Sequence, residues 1–389
     1  MADRITSLDC FFFERPRDTP YLGALAPDDL KLGDHYIVRA FNGTVYPHND
    51  RSVVVRVRDS QGREGWGETY GLVAAKATVE IIRDIFAPYV MQVDVDDPAR
   101  VWDGFYNLMR VRGYWGGYYA DAMAAVDTAL WDLKGRREGR TLRALLSDRP
   151  LDSLPAYISG LPGDTAEARD EMATGFRDQG FDSLKLPISV APDSIVDEVA
   201  RLRQLLGEEH RIAVDMHWAF EVDTAIALIE GLSRHGLWFA EAPIMPEDVV
   251  GQSAVAAGIG VPLALGEEWR TEWDIRPRIT GRACSIVQPE MGHTGVTQFM
   301  RIGRLAKGAG MQVVPHATVG LGIFMSASLN AAAALGAEAH EYQHSIYDRN
   351  AALLDGAAAC TTGRYAMPEA AGHGVTPNEE AFRFLELIH

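Results

Sequence analysis

The sequence predicts an α/β fold: a closed barrel of parallel strands, preceded by a smaller domain that contains strands and then helices. Between residues 154 and 342, eight short apolar runs alternate with amphipathic stretches, and polar residues follow the runs at nearly constant intervals. Repeating strand–helix units are typical of parallel sheets, and eight such units are typical of a closed barrel. An open doubly wound sheet is the alternative, but no glycine-rich phosphate-binding motif follows the first strand.

Composition limits the class of protein. The chain has 389 residues, of which 47% are hydrophobic and 23% charged, as in soluble proteins with one large domain and an accessory one. The net charge of −17 argues against nucleic acid or an anionic membrane as a partner. The three cysteines lie far apart and predict reduced thiols. Since the sequence contains no signal peptide and no long apolar run, we expect a cytoplasmic protein that acts on a small molecule.

Residues 1–150 are predicted to form an α+β domain. Apolar and polar residues alternate over residues 36–71, with turn signals at Asn42-Gly43 and Gln61-Gly62, and this pattern predicts strands. A mostly helical stretch follows, from about residue 74 to residue 146. Its strongest helix is expected to end at Gly135 and Gly139. The apolar face of that helix comprises Ala122, Ala125, Val126, Ala129, Leu130 and Leu133.

Residues 151–350 are predicted to form the barrel, and the glycine- and alanine-rich residues 351–389 are expected to return to the first domain. Polar residues stand at the carboxyl ends of the barrel strands, where the active sites of such barrels lie. The intervals between them are 30, 26, 26, 23, 26 and 25 residues, about one strand–helix unit each, so each strand should contribute one residue to the same rim. These residues are Lys185, Asp215, Glu241, Glu267, Glu290, His316 and Glu341.

Asp215, Glu241 and Glu267 predict a metal site. They end three successive strands, and three converging carboxylates repel one another unless a cation lies among them. Oxygen ligands suit a hard ion such as Mg²⁺. For any one of these residues, a salt bridge or a helix cap is the alternative. Glu268 has the opposite parity to Glu267 and is expected to face the helices or a loop.

Basic side chains at the same rim predict acid–base chemistry. Glu290, on the strand before His316, is expected to fix its imidazole as a general base. His217 shares the parity of Asp215 in the run IAVDMH and should point into the barrel as a second acid–base group or a donor to substrate. Lys185 should enter the rim as a cation, and the inward position after it is a proline, which cannot transfer a proton. A buried structural histidine and a surface lysine are the alternatives.

The pattern resembles the enolase superfamily and, within it, the mandelate racemase subgroup. The segment AAVDTALWDLKGRREG is similar to the family's helix before the barrel, and VDMH, AEAP, GEEW, QPEMGHTG and VPH follow the family's order and spacing. The resemblance implies a modified TIM barrel, (β/α)7β, with an α+β capping domain that the C-terminal segment completes. It also implies that the three carboxylates bind Mg²⁺ and that Glu290 and His316 form a dyad. Glu341 would contact the substrate as a protonated acid or an orienting group, and the chain is expected to form a homo-oligomer.

Two departures from the family pattern bear on the reaction. Many members carry a second lysine, a base, where this chain has Pro187, and their dyad acid is usually aspartate where this chain has Glu290. The pair of Asp215 and His217 is similar to that of galactonate-type acid-sugar dehydratases. The resemblance therefore implies a Mg²⁺-dependent dehydratase of a sugar acid, either an aldonate or an aldarate. It would form an enediolate and release a 2-keto-3-deoxy acid.

Three other functions fit parts of the pattern. A racemase or epimerase needs a second base opposite His316, and Pro187 removes the usual one. A lactone cycloisomerase would use a similar enediolate. A barrel that only binds a ligand would be expected to lack one of the metal carboxylates, and all three are present in the sequence.

Loops of the first domain are expected to close over the rim and to set the identity of the substrate. These loops consist of residues 17–36 and 65–71. Their polar aromatic side chains are candidate contacts for substrate hydroxyls, and ordinary packing is the alternative for each. The candidates are Tyr21, His35, Tyr36 and Tyr70.

Overall fold

The N-terminal part is built on antiparallel strands, as the alternating pattern predicts. The computed structural model describes residues 3–20, 23–191 and 194–389. The predicted turns at Asn42-Gly43 and Gln61-Gly62 each join an antiparallel pair. The first strand is not evident from the sequence, because its aromatic run is short and flanked by charges, yet it pairs with the fifth along its whole length. The strands are β1 Ile5–Arg15, β2 Leu30–Leu32, β3 Tyr36–Val38, β4 Val45–Pro47, β5 Asp50–Asp59 and β6 Glu64–Tyr70.

Helices lie between residues 74 and 146, as predicted, but the longest differs from its expected pattern. This helix, α4 (Gly117–Glu138), is buried on almost every side because it packs between the sheet and the barrel. Gly135 lies inside α4, where a Cβ would come within 2.6 Å of the Gly372 Cα, and only Gly139, with φ 63°, ends the helix. The other helical segments are α1 Ala75–Ile81, a π-helical turn Ile82–Phe86, α2 Ala87–Val90, α3 Pro98–Met109, a 3₁₀ turn Arg110–Arg112 and α5 Leu142–Leu146.

All eight apolar runs of the barrel region form strands within the described part of the chain. The strands are β7 Ser153–Ser159, β8 Ser183–Pro187, β9 Arg211–Asp215, β10 Leu237–Glu241, β11 Leu263–Leu265, β12 Ile286–Val287, β13 Gln312–Val313 and β14 His340–Tyr342. The helices between them are α6 Ala166–Asp178, α7 Ile195–Leu206, α8 Val222–Ser233, α9 Val249–Gly258, α10 Glu272–Gly281, α11 Met291–Gly308 and α12 Ile323–Leu335. Strands β7 to β13 pair in parallel and in chain order, and β14 pairs in parallel with β7. The Glu338 N–H, just before β14, donates to the Val313 carbonyl of β13 at 3.1 Å, so the sheet closes. The (β/α)7β order is confirmed, and the open doubly wound alternative is wrong.

The C-terminal segment returns to the first domain, as its composition suggests. It contains α13 His344–Ala351, β15 Leu354–Asp355, β16 Cys360–Thr361, β17 Arg364–Ala366, β18 Thr376–Pro377 and β19 Leu385–Ile388. Strand β19 pairs antiparallel with β1 and completes a sheet of order β19-β1-β5-β6. The predicted boundaries at residues 150 and 350 fall between α5 and β7 and within α13, and both stay predictions. Among the described residues, no helix combines the length and the apolar character that a membrane crossing requires.

An apolar floor lies below the rim of the barrel. On β9, Ala213 faces the interior while Ile212 and Val214 pack toward the helices, as the strand parity predicts. Because side chains of one parity share a face, the polar residues that follow the floor along each strand lie at the rim. The floor consists of Tyr157, Ala213, Phe239, Ala264, Ile286, Val314 and Ala339.

A buried carboxylate joins the first domain to the barrel. Glu68 of β6 is fully buried and accepts a hydrogen bond from Ser52 Oγ at 2.5 Å. It also accepts bonds of 2.5–3.2 Å from the backbone N–H groups of residues 321–324, where α12 begins. These N–H groups have no partner within the helix, so an anionic side chain that binds them satisfies both the donors and the helix dipole.

We predict that Glu68→Gln lowers the free energy of unfolding by about 2–3 kcal/mol, because an amide nitrogen cannot accept the bonds that the carboxylate oxygen accepts. Urea denaturation followed by tryptophan fluorescence measures the change. Glu64→Gln is the matched control on the same strand, since Glu64 is partly exposed and pairs with Arg58. The control should change stability by less than about 1 kcal/mol. Equal effects of the two substitutions would contradict a joining role for Glu68.

Candidate active site

The three predicted metal carboxylates converge at the rim of the barrel. Asp215 and Glu241 are the last residues of β9 and β10, lie side by side in register and are buried. Glu267 follows β11 after Gly266, whose φ of 128° favours glycine. One oxygen from each of the three carboxylates lies within 4.8 Å of the others. This donor set fits a hard divalent cation such as Mg²⁺.

Glu268 faces away from this cluster. Its Oε1 lies 3.8 Å from Nη2 of Arg278 on α10. The two adjacent glutamates, 267 and 268, therefore have different surroundings, as the strand parity predicts. They form a matched pair for testing the metal site.

Lys185 lies at the centre of the rim. Its Nζ is 2.6 Å from Glu241 Oε1 and 3.1 Å from Glu341 Oε1, and its side chain is buried. Burial lowers the pKa of Lys185, but Glu241 and Glu341 outweigh burial and raise the pKa well above its ordinary value. Lys185 is therefore a fixed cation rather than a proton acceptor, and Pro187 on the same strand offers no acid–base group.

Gln288 is a second donor to Glu241, beside Lys185. The regular intervals between the predicted rim residues do not identify Gln288. Its Nε2 donates to Glu241 Oε2 at 2.6 Å, so protein donors orient both oxygens of that carboxylate. Gln288 is the next inward position after Ile286 of β12. Glu290, the predicted rim residue of the sixth strand, lies two positions further along the chain and also caps the start of α11. Counting inward positions from Ile286 is the signal that identifies Gln288.

His316 and Glu290 lie in contact, as predicted. His316 Nδ1 is 2.8 Å from Glu290 Oε2, so the longer side chain of glutamate reaches the imidazole. Glu290 also accepts bonds of 2.8 and 2.9 Å from the backbone N–H groups of Gly292 and Thr318. The other ring nitrogen, Nε2, lies 3.6 Å from Oε2 of Glu267, one of the three clustered carboxylates. Burial lowers the pKa of His316, but the surrounding carboxylates, first that of Glu267, outweigh burial and raise the pKa to about 10.

His217 reaches the rim by a different route from the one that parity predicts. Strand β9 ends at Asp215, and His217 and Trp218 both have positive φ, of 50° and 55°. This turn brings His217 Nδ1 to 3.1 Å from Asp215 Oδ2 and places its ring 6.0 Å from the ring of Phe41 in the first domain. Burial lowers the pKa of His217, but Asp215 outweighs burial and raises the pKa to about 9.

Glu341, at the end of the barrel sequence, has the surroundings of an ionised carboxylate. Its Oε2 accepts a bond of 2.8 Å from the Ala317 N–H, and Lys185 Nζ lies 3.1 Å from its Oε1. Burial raises the pKa of Glu341, but Lys185 and His316 outweigh burial and hold the pKa below its ordinary value. Of the two predicted roles, these contacts favour the orienting group over the protonated acid.

The cap side chains predicted to contact substrate hydroxyls have different positions. Tyr21 lies outside the described residues. His35 is exposed, and Tyr36 Oη accepts a bond of 3.3 Å from the Ala74 N–H, a contact within the first domain. A substrate role for these three residues stays a prediction.

Two other tyrosines of the first domain approach the rim. Tyr70 Oη donates to Thr318 Oγ1, close to the His316 dyad. Tyr46, which the sequence pattern does not single out, accepts a bond of 3.0 Å from Asn42 Nδ2. Burial and the nearby carboxylates of Glu267 and Asp215 raise the pKa of Tyr46 to about 12, so its hydroxyl stays neutral beside them.

These features define a class: a capped parallel barrel with an acid–base site that can hold a divalent cation at the carboxyl ends of its strands. Residues 39–147 match the model of the mandelate racemase / muconate lactonizing enzyme N-terminal domain, and residues 167–381 match that of the enolase C-terminal domain-like family. The chain belongs to the enolase superfamily, as its motifs predict.

Relatives within this family have more than one named activity. A solved structure of a member of the enolase superfamily from Agrobacterium tumefaciens has a TM-score of 0.97 and 48% identity over 100% of both chains. D-galactarolactone cycloisomerase of Agrobacterium fabrum is 26% identical over 343 residues, which are 85% of this chain and 89% of that protein. Arabinonate dehydratase of Saccharolobus solfataricus is 28% identical over 344 residues, 86% of this chain and 90% of that protein. Similarity thus establishes the family, and its named members catalyse both cycloisomerisation and dehydration.

Lys185→Met should lower the free energy of unfolding by about 3–5 kcal/mol, because it leaves buried carboxylates without their cation. Urea denaturation in the presence of EDTA measures the effect with no metal contribution. Lys307→Met is the control, since Lys307 forms a partly exposed ion pair of 2.8 Å with Glu338. Lys307→Met should lower the free energy of unfolding by less than about 1 kcal/mol. If Lys185→Met were as mild as the control, Lys185 would not be the compensating charge of the rim.

Proposed function

We propose that the protein is a dehydratase of a sugar acid, an aldonate or an aldarate, that releases a 2-keto-3-deoxy acid. The observation that carries this proposal is the pair of histidines on two sides of the carboxylate cluster. His316 Nε2 lies 3.6 Å from Glu267 Oε2, and His217 Nδ1 lies 3.1 Å from Asp215 Oδ2. One imidazole can take a proton while the other gives one, and elimination of water needs both steps.

We further propose Mg²⁺ as the cofactor, held by Asp215, Glu241 and Glu267. Members of the enolase superfamily bind Mg²⁺, and the three oxygens of this chain fit its preference for hard, anionic ligands. When bound, the ion supplies positive charge beside the substrate carboxylate, which makes the α-hydrogen more acidic. Its charge would also oppose the protonation of both imidazoles and lower the pKa of His316 toward the range of a working base.

His316 is the proposed base for the α-hydrogen. Glu290 accepts from Nδ1–H, so the lone pair of the imidazole is on Nε2, which faces the cluster. Loss of the α-proton gives an enediolate, and its developing negative charge lies close to the ammonium of Lys185. Glu341 accepts from the Ala317 N–H and pairs with Lys185, so it orients the ammonium and the loop that carries His316.

His217 is the proposed acid for the leaving hydroxyl. The Asp215 contact holds its ring at the rim and favours its protonated form. The β-hydroxyl departs with that proton as water, and the resulting enol gains a proton at carbon to become the keto acid. Pro187 stands where a second base would serve a racemase or epimerase, so those reactions have less support.

A lactone cycloisomerase is the second candidate, because one of the named relatives has that activity. The same base and cation could remove an α-proton from a lactone, and the ring oxygen rather than a hydroxyl would then leave the β-carbon. This reaction differs from dehydration in mass balance, because the product keeps every atom of the substrate.

We predict that purified protein with Mg²⁺ converts at least one sugar acid into a keto acid lighter than the substrate by one water. A panel of aldonates, aldarates and their lactones, followed by a keto-acid assay and mass spectrometry, tests this. His316→Asn should lower kcat at least 10²-fold, the contribution of positioned proton transfer. A product with the same mass as the substrate would show that the reaction is an isomerisation and that the proposed dehydration is wrong. A His316→Asn variant with most of its activity would remove His316 as the base.

Calorimetric titration tests the metal site separately from turnover. We expect one Mg²⁺ per chain, and we expect Glu267→Gln to weaken binding at least tenfold, about 1.4 kcal/mol, because it removes a charged ligand. Glu268→Gln should leave binding unchanged, since Glu268 faces Arg278. An equal loss of Mg²⁺ affinity in Glu267→Gln and Glu268→Gln would mean that the ion binds elsewhere.

A further inference from the structure

We propose that Tyr70 of the first domain positions the Glu290–His316 dyad through Thr318 instead of binding the substrate, an inference that rests on the proposed function of that dyad. The Tyr70 hydroxyl donates to Thr318 Oγ1. The Thr318 N–H donates at 2.9 Å to Glu290 Oε2, which is the same oxygen that contacts His316 Nδ1 at 2.8 Å. Thr318 thus links the first domain to the proposed base, because its side chain accepts from Tyr70 and its backbone donates to Glu290.

The ring of Tyr70 also packs against a histidine of the barrel domain. It lies against the ring of His293, with 3.9 Å between the ring centroids. His293 Nδ1 is 2.8 Å from Asp121 Oδ1 on α4, and Arg270 Nε donates to the same oxygen at 3.1 Å. Since α4 belongs to the first domain, the position of Tyr70 depends on how that domain packs on the barrel.

Gly292 gives a second line of support. A Cβ at this position would lie 2.6 Å from Tyr70 Cδ1, so the ring packs directly on the backbone. The Gly292 N–H donates to Glu290 Oε1 at 2.8 Å, and its carbonyl oxygen accepts from Thr69 Oγ1 at 2.5 Å. Tyr70 and its neighbour therefore contact the donors to both oxygens of Glu290. A side chain held by these contacts is suited to fixing a carboxylate and has little freedom to adapt to a substrate.

The first test needs no substrate. The experiment observes by NMR the proton on His316 Nδ1 that is hydrogen-bonded to Glu290. The resonance of this proton is assigned by its absence from the spectrum of His316→Asn. Tyr70→Phe keeps the ring and removes the hydroxyl, so we expect this resonance to shift or broaden. Tyr36→Phe is the matched control, because the Tyr36 hydroxyl contacts only Ala74 among the described hydrogen bonds. An unchanged resonance in Tyr70→Phe overturns the proposal.

The second test separates positioning from substrate binding. With a sugar acid that the wild type converts, Tyr70→Phe should lower kcat about tenfold per folded protein and change KM less than about twofold. The deuterium isotope effect on the α-hydrogen should rise, because proton abstraction becomes slower. Thr318→Val should have the same effect, and Thr318→Ser, which keeps the hydroxyl, should restore activity. A raised KM with unchanged kcat would make Tyr70 a substrate contact and overturn the proposal. A wild type that converts no sugar acid would refute the proposed function, while the NMR result would still decide the role of Tyr70.

Discussion

The rim of the barrel concentrates negative charge, and the surrounding groups are arranged to compensate it. Burial, together with the charges of Asp215, Glu267 and Glu341, outweighs Lys185 and raises the pKa of Glu241 to about 8, so further negative charge at this point is unfavourable. Lys185 and Gln288 each donate to one oxygen of Glu241, and His217 lies against Asp215. A cation held by the three carboxylates would complete this compensation. It would also let a protein of net charge −17 present a positive point to an acidic substrate.

Three successive residues of one strand contribute to the junction between the first domain and the barrel, beside the packing of α4. At the end of β6, Glu68 binds the start of α12, Thr69 binds the Gly292 carbonyl and Tyr70 binds Thr318. The three contacts reach three different segments of the barrel that carry or adjoin the dyad. The junction that stabilises the fold is therefore also adjacent to the proposed chemistry. A change in the packing of the two domains would therefore be expected to affect the geometry of the site as well as the stability of the fold.

The barrel and most of its rim could be predicted because both follow from local periodicity. Strand parity separates Glu267 from Glu268, and nearly constant intervals bring Asp215 beside Glu241. Features that depend on distant contacts were not accessible in this way. Strand β1 is recognisable by its pairing with β5, and Tyr46 by its approach to the carboxylates of Asp215 and Glu267.

The conformation of His217 shows why parity alone was insufficient at the site that distinguishes the reactions. Beyond Asp215 the chain leaves the strand, and two consecutive residues with positive φ turn the imidazole back onto that carboxylate. Non-glycine residues adopt this conformation at a cost, so it persists only where the surroundings enforce it. Here the end of β10 does so, because Met216 N–H donates to the Glu241 carbonyl at 2.9 Å and Trp218 N–H to the Ala242 carbonyl at 2.6 Å. Strand β10 thus fixes His217, the proposed proton donor, relative to the three clustered carboxylates. A leaving group at the β-carbon of the substrate would therefore meet a preorganised acid.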